Sequence, residues 1–437
     1  MAGVYHACMG RHDREHDLAW LSAAALCRST GVGLSGVLVL LVLVRSGHDA
    51  GEATQVLACG LLGGAAGLLL VTRGAPRWGR RRTLQVLSLA QALGGGLLAL
   101  VAPSLPLAAL ASFLGMVNGM GRDRGAALAL EQAVLPSTAP EARRTHAFAR
   151  YHVVLDAGHA LGALLAGLPL LLAPWLESAT AERATLALLL PLGLLSFACH
   201  RRLGPGAEDG EQARPPPLAP ASRRVLARLC ALSALDSLGG GFLPNALLAL
   251  WFSSRFGLEP AALGVLFALG RVANALSYPL AAHLAARIGL VRTMVFTHLP
   301  SSALLLLLPV LPSTACAVGL YLLRELLVEM DLPTRQSFAM AVVAPAERTR
   351  AAAATGLWRA LGWAAGALAA AHLVPRMGLS APLLVGASVK IAYDLLLWRA
   401  MGRIPLPTHP GEASPPTQPA GPGRPAHPGR PPPGPAP

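Results

Sequence analysis

The sequence predicts an all-α membrane protein, with twelve transmembrane helices arranged as two six-helix pseudo-repeats. Three observations predict it: a series of long apolar runs, a one-sided distribution of arginine between them, and short motifs that recur at a nearly constant offset. Of the 437 residues, 54% are hydrophobic and 13% charged, against a charged share of roughly 25% in soluble domains. Mean hydropathy is +0.52. These values exclude an ordinary soluble globular chain. The net charge of +14 does not point to nucleic acid, because the arginines lie between apolar runs rather than in a basic patch interleaved with aromatics.

Twelve apolar runs come near the roughly 20 residues a bilayer requires. They are spans 1 to 12, at 18–44, 54–72, 83–102, 105–122, 147–172, 184–200, 225–252, 260–286, 290–311, 313–330, 351–374 and 380–400. Each must be helical, since lipid offers backbone groups no other partner. The first run is too long for the apolar region of a signal peptide.

Loop charge orients the spans. With the N-terminus inside, the inner loops hold Arg73, Arg77, Arg80, Arg81, Arg82, Arg143, Arg144, Arg201, Arg202, Arg214, Arg223, Arg224, Arg287, Arg292, Arg348 and Arg350. The outer connections hold Arg45, Arg183, Arg255 and Arg376. The positive-inside rule then places both termini in the cytoplasm and the protein in the cytoplasmic membrane. The basic charge is explained by topology, with the bilayer as partner.

Five segments follow. Residues 1–17 form a cytoplasmic cap and 18–203 the first six-helix half. Residues 204–223, "GPGAEDGEQARPPPLAPASR", are a polar cytoplasmic linker. Residues 224–403 form the second half, and 404–437 a Pro-rich tail whose composition predicts disorder. In the cap, His6, Cys8, His12 and His16 match no closed metal spacing. The six cysteines, Cys8, Cys27, Cys59, Cys199, Cys230 and Cys316, are scattered and read as small hydrophobes. No nucleophile–base arrangement, metal cluster or phosphate loop stands out, so neither an enzyme nor a cofactor is expected.

The two halves can be laid over each other. Ser29, Gly31 and Gly33 match Ser237, Gly239 and Gly241 at an offset of 208. Arg77, Gly79, Arg82 and Thr83 match Arg287, Gly289, Arg292 and Thr293 at 210. Gln132, Arg144, Thr145, Gly158 and Gly162 match Gln336, Arg348, Thr349, Gly362 and Gly366 at 204. Each match alone is weak; three in one order make a duplication, the build of a parallel-repeat transporter.

The segment "RWGRRRTL" (77–84) resembles the loop signature of the major facilitator superfamily (MFS). The stretches "DSLGGGF" (236–242), "RIGLVRTMVFTHLPSS" (287–302) and "MDLPTRQSFAMAVVAPAERTRAAAATG" (330–356) resemble a prokaryotic group of such transporters, of unknown substrate. The resemblance covers 18–403. It implies the fold, alternating access and solute transport, and makes Arg77, Gly79, Arg81 and Arg82 inner-gate loop candidates. Two departures stand out. Pro76 occupies the place where the superfamily loop carries an Asp, which questions a latch of that kind. Span 5 has Gly158 and Gly162 followed by Ala163, without the Gly-Pro pair of many drug/proton antiporters.

Ionisable residues inside spans are costly unless paired or facing water, so they are the candidates for function. Arg28 and Asp236 occupy equivalent repeat positions with opposite charge, and a pair across the half-to-half interface is expected. Span 10 carries Arg324, Glu325, Glu329 and Asp331; the three acids are expected near its cytoplasmic end. Arg271, Asn274 and Tyr278 share one side of span 8, and Arg359 and Trp363 one side of span 11. Either set could hold an anionic or aromatic group, or close an interhelical bond. Lys390 and Asp394, at i and i+4, are expected to neutralise each other. His152, Asp156 and His159 share a face of span 5 at i, i+4 and i+7. They read either as a proton-coupling site or as interhelix glue. The GxxxG pairs Gly60/Gly64, Gly115/Gly119, Gly158/Gly162 and Gly362/Gly366 predict close helix packing.

The function expected is secondary active transport of a small solute by a monomer, with proton-coupled export as the first reading. Proton-coupled uptake of a metabolite is the second. A non-transporting membrane sensor or assembly protein on the same fold is the alternative from another class.

Overall fold

The computed structural model describes residues 2–139, 143–208, 220–330, 335 and 347–401. For residues 2–15, 145, 206, 220–222, 348, 349 and 401 it describes the backbone alone. Arg214, Asp331, Gln336 and the 404–437 tail therefore lie outside the described residues, as do the side chains of His6, Cys8, His12, Thr145, Arg348 and Thr349.

Helix is the dominant element, and ten helices are long and apolar enough to cross a membrane. They correspond to every expected span but 4 and 10. The helix of span 1 runs without interruption from Ala2 to Arg45, so the expected cap is its first turns. Spans 2 and 3 are Ala50–Trp78 and Arg80–Val101. Spans 8 and 9 are Pro260–Ile288 and Leu290–Leu307, spans 11 and 12 Arg348–Met377 and Ser380–Met401.

Local chemistry sets the boundaries. Asp49 caps span 2, accepting from the backbone N–H of Gly51 (2.7 Å) and Glu52 (2.8 Å), while Glu52 accepts from the Asp49 N–H (3.0 Å). The turns between spans 2 and 3 and between 8 and 9 need a left-handed residue, and both have glycine: Gly79 at φ 89° and Gly289 at φ 85°. Thr83 and Thr293 then bond back to the carbonyls of Gly79 (2.8 Å) and Gly289 (2.9 Å).

The repeat seen in the sequence is a repeat of contacts. An added Cβ at Gly33 would overlap the carbonyl oxygen of His159, and one at Gly241 that of Trp363. The same holds for Gly162 against the Thr30 carbonyl and for Gly366 against that of Leu238. Spans 1 and 5 thus cross as closely as spans 7 and 11, backbone against backbone. Gly64 differs, with open space around it.

Spans 4 and 10 are not among the ten long helices, so the expected count of twelve is met only in part among the described residues. Span 4 is helical over Leu105–Gly115, non-helical through 116–125, and helical again over Ala126–Val134. The intervening "MVNGMGRDRG" explains the break. Its three glycines weaken the helix, and Asn118 turns the chain, accepting from the Met120 N–H (2.8 Å) and donating to the Arg122 carbonyl (2.7 Å). Span 10 is helical from Thr314 to Val328. Irregular backbone at membrane depth is tolerated where it is buried in protein or lines a cavity.

One end of the bundle carries the arginine-rich loops and is here the basic end; the other is the distal end. Residues Val37 to Leu43 of span 1, Leu247 to Phe252 of span 7, Phe267 of span 8 and Val374 of span 11 form one buried apolar cluster near the distal end. The Ala246 N–H donates to the Gly119 carbonyl (2.9 Å), joining the halves there. At that end Arg45 pairs with the buried Glu182. Exposed Leu93, Leu100, Leu170 and Val310 on the outside suit a hydrocarbon surround.

Candidate functional site

The broken spans line a cleft between the two halves, of about 610 Å³ including its mouth. Arg122 and Arg124 reach it from the unwound segment of span 4. The second half supplies Asp236, Arg271, His298, Arg324, Glu325, Glu329, Arg335, Trp363 and Lys390. The wall therefore holds six cationic side chains and three carboxylates.

Glu325 is a hub. It accepts from Arg271 Nη2 (3.0 Å) and Asn274 Nδ2 (2.7 Å) and also pairs with Arg324. Arg271 lies eleven residues inside the helix that starts at Pro260, about 16 Å from its distal end at 1.5 Å per residue. Glu325 lies at the same depth, so the expectation that it sits near the cytoplasmic end is corrected. Glu325 lies eleven residues inside the helix that starts at Thr314 and so stays at mid-depth. Tyr278, on the same side of span 8, is half-buried.

Glu329 lies one turn further toward the basic end. It faces Arg122 Nη1 (2.6 Å) and Arg124 Nη2 (3.5 Å), both from the other half. This carboxylate straps the two halves together on the basic side of the Arg271–Glu325 pair. Trp363 lies beside it, with the guanidinium groups of Arg124 and Arg359 at 4.7 and 5.0 Å from its ring.

Arg28 and Asp236 do not meet. Arg28 bonds Glu131 of span 4 (Nε to Oε1, 3.3 Å) and pairs with Asp123 of the unwound segment. Tyr151 donates to Glu131 as well, and His200 Nε2 lies 3.1 Å from it. His200 Nδ1 bonds Ser88 Oγ at 2.8 Å. All of these side chains are buried. In the other half Asp236 accepts from Arg335 (2.6 Å), Lys390 (3.0 Å) and Arg359 (3.5 Å). His298 Nδ1 lies 2.9 Å from Asp394, and its Nε2 lies 3.4 Å from Lys390 Nζ.

Lys390 is therefore the partner of Asp236, and Asp394 of His298, which corrects the expected i, i+4 pair. The offsets explain the architecture. Arg28 and Asp236 differ by 208, Ser88 and His298 by 210, Glu131 and Arg335 by 204, the same offsets as the motifs around them. Each half closes an ion pair from its first helix to a charge beyond the apolar run of its fourth span, with the signs exchanged; Glu131 is buried and Arg335 half-buried.

His152, Asp156 and His159 are only partly brought together. His152 is exposed, Asp156 half-buried and His159 buried. The backbone N–H of Asp123 donates to His159 Nε2 (2.9 Å), so a neutral ring carries its hydrogen on Nδ1. That Nδ1 lies 3.8 Å from Asp156 Oδ1. The face is a pair plus a bystander, because a helix face of three residues spans more arc than one crossing contact.

At the basic end Arg77 and Arg82 are exposed. Arg81 Nη2 bonds the Arg201 carbonyl. The Glu208 carboxylate accepts from the backbone N–H groups of Arg80 (2.6 Å) and Arg81 (2.9 Å), and its oxygens lie 2.7 and 3.0 Å from where a Cβ at Gly79 would be. An acid from the linker that follows span 6 thus sits on the N-terminus of span 3.

Sequence reasoning missed Arg122, Asp123, Arg124, Glu131, His200, His298 and Arg335. Glu131 and Arg335 were legible in principle, as lone charges at matched repeat positions. Among the described residues no group of three or more His, Cys, Asp or Glu could hold a metal ion.

Residues 21–367 match the family model described as Major Facilitator Superfamily. An uncharacterized membrane protein of Saccharomyces cerevisiae is 22% identical over 417 residues, covering 87% of this chain and 93% of that protein. Among solved structures, the nucleoside transporter NupG superposes with a TM-score of 0.67 at 14% identity, over 88% of this chain and 99% of that one. The xylose transporter XylE from E. coli, in its inward open conformation, gives 0.65 at 14%, over 90% and 96%. At such identity these structures speak for the fold.

Proposed function

The chain belongs to the Major Facilitator Superfamily, and we propose that it is a proton-coupled secondary transporter that carries a small solute outward across the cytoplasmic membrane. The fold and family make it a multi-pass membrane solute transporter. The observation that carries the mechanism is the cleft, lined from both halves of one chain and closed toward the distal end by apolar packing. One chain suffices to build it, so the monomer is the working unit. The Glu329 strap must break for the halves to part on the basic side, as alternating access by rocking requires.

Proton coupling rests on His159. Its Nε2 accepts the Asp123 N–H, so that nitrogen cannot be protonated while the unwound segment of span 4 stays in place. A proton arriving there displaces the segment. Asp123 also pairs with Arg28, so such a movement would be felt in the first half's ion pair. Asp156, near Nδ1, stabilises the charged ring once it forms.

Inverted membrane vesicles containing the chain, incubated with a small-molecule extract of cells, provide the test. A solute identified by mass spectrometry should accumulate when the lumen is acid. Uptake that ignores the pH gradient removes the coupling, and no uptake in vesicles of either orientation removes transport. Orientation follows from the loop arginines. In a cysteine-free background, Glu177→Cys should react with an impermeant maleimide added outside intact cells, and Thr408→Cys should not. The reverse pattern inverts the topology.

A further inference from the structure

We infer that the cleft binds a small organic oxyanion, a carboxylate or a phosphate. This rests on the transporter reading and names the solute class for it. Two observations carry it, the sign of the wall and its spare donors.

The six cations of the wall outnumber its three carboxylates, and those carboxylates are already engaged. Glu325 is held by Arg271, Asn274 and Arg324, Glu329 by Arg122 and Arg124, and Asp236 by Arg335 and Lys390. An excess of positive charge at mid-depth is costly unless an anion shares the site.

The donors point the same way. Nε and Nη1 of Arg271 and Nε of Arg324 have no acceptor among the described residues; Nε and Nη2 of Arg122 have none within hydrogen-bond distance, with only the neutral Tyr278 hydroxyl close by. All three residues are more than nine-tenths buried. Guanidinium forks match the planar carboxylate and the phosphate oxygens, and a buried donor of this kind is satisfied best by a charged acceptor. Arg122 comes from the first half, Arg271 and Arg324 from the second. An oxyanion accepting from both would hold the halves together across the cleft, in parallel with Glu329. A neutral or cationic solute offers these groups no compensating charge. The Trp363 ring already carries two guanidinium groups, which disfavours an aromatic cation there.

The test uses the full chain in detergent, with thermal unfolding followed in millimolar succinate, inorganic phosphate, erythritol or tetramethylammonium. Sodium chloride at matched ionic strength is the control. Succinate or phosphate should raise the midpoint, and which of them does so separates a carboxylate site from a phosphate site. Erythritol, tetramethylammonium and chloride should leave it unchanged. Arg122→Gln should weaken anion binding by about tenfold or more. If that variant misfolds, the double variant Arg271→Gln/Glu325→Gln, which removes both members of a pair, should give the same loss. No shift with either anion, or a shift with tetramethylammonium, overturns the inference. Anion binding without flux in proteoliposomes leaves the inference standing and removes transport. Flux of a neutral or cationic solute does the reverse.

Discussion

Arg28 and Asp236 occupy the same place in the two halves, carry opposite charge, and each closes an ion pair within its own half. The first prediction tests that separation. Removing either member of the Arg28–Glu131 pair strands a buried charge, so Arg28→Gln or Glu131→Gln should destabilise the chain by about 3–5 kcal/mol. The exchange Arg28→Glu/Glu131→Arg should recover only part of that loss, because Asp123, which also pairs with Arg28, would then face a like charge. Exchanging Arg28 with Asp236 should recover nothing. Denaturant unfolding of the purified protein measures both couplings, and a large coupling between residues 28 and 236 would refute the geometry.

Glycine substitutions read the helix crossings. Gly33→Ala and Gly241→Ala push a methyl group into the His159 and Trp363 carbonyls, so each should cost about 1–3 kcal/mol. Gly64→Ala meets open space and should be neutral or stabilising by up to about 1 kcal/mol. Equal losses at all three positions would mean that the close contacts are not what these glycines serve.

If the halves part on the basic side as proposed, the Glu329 pairs with Arg122 and Arg124 should restrict access from that end. Met120 lines the cleft. In a Glu329→Gln background, Met120→Cys should react several-fold faster with a thiol reagent presented at the basic end. Neutralising the carboxylate removes its attraction for Arg122 and Arg124 while leaving its shape. An unchanged rate would show that other contacts keep that side shut.

A variant at Asp156 tests the proposed coupling apart from carriage. Asp156→Asn keeps shape and hydrogen bonding but removes the negative charge beside His159 Nδ1. Gradient-driven accumulation should be lost while solute exchange without a gradient survives. If accumulation keeps its wild-type pH dependence, Asp156 has no part in coupling.

Much of the fold was legible because hydropathy and repeated glycines report local demands. A glycine at 33, 162, 241 or 366 is dictated by one close approach, and that approach recurs in both halves. Partner choice is not local. Arg28 and Asp236 are related by the repeat, one in each half, and each finds a partner within its own half. Glu131 was hidden because the apolar run of span 4 ends at its glycine-rich break, which made residues 123–146 read as loop. The i, i+4 rule failed at Lys390 because Asp236 and His298, on neighbouring helices, offered Lys390 and Asp394 buried partners of their own.

The seat of Glu208 on the start of span 3 fixes, within the first half, the point from which the link to the second half departs. Twelve peptide steps separate Glu208 from Pro220, where the next helix begins. At most about 3.5 Å per step, that tether cannot exceed about 42 Å. Were Glu208 to let go, the leash would lengthen by the residues back to Leu203. While two backbone amides hold its carboxylate, the link between the halves is counted from Glu208; once they release it, from Leu203.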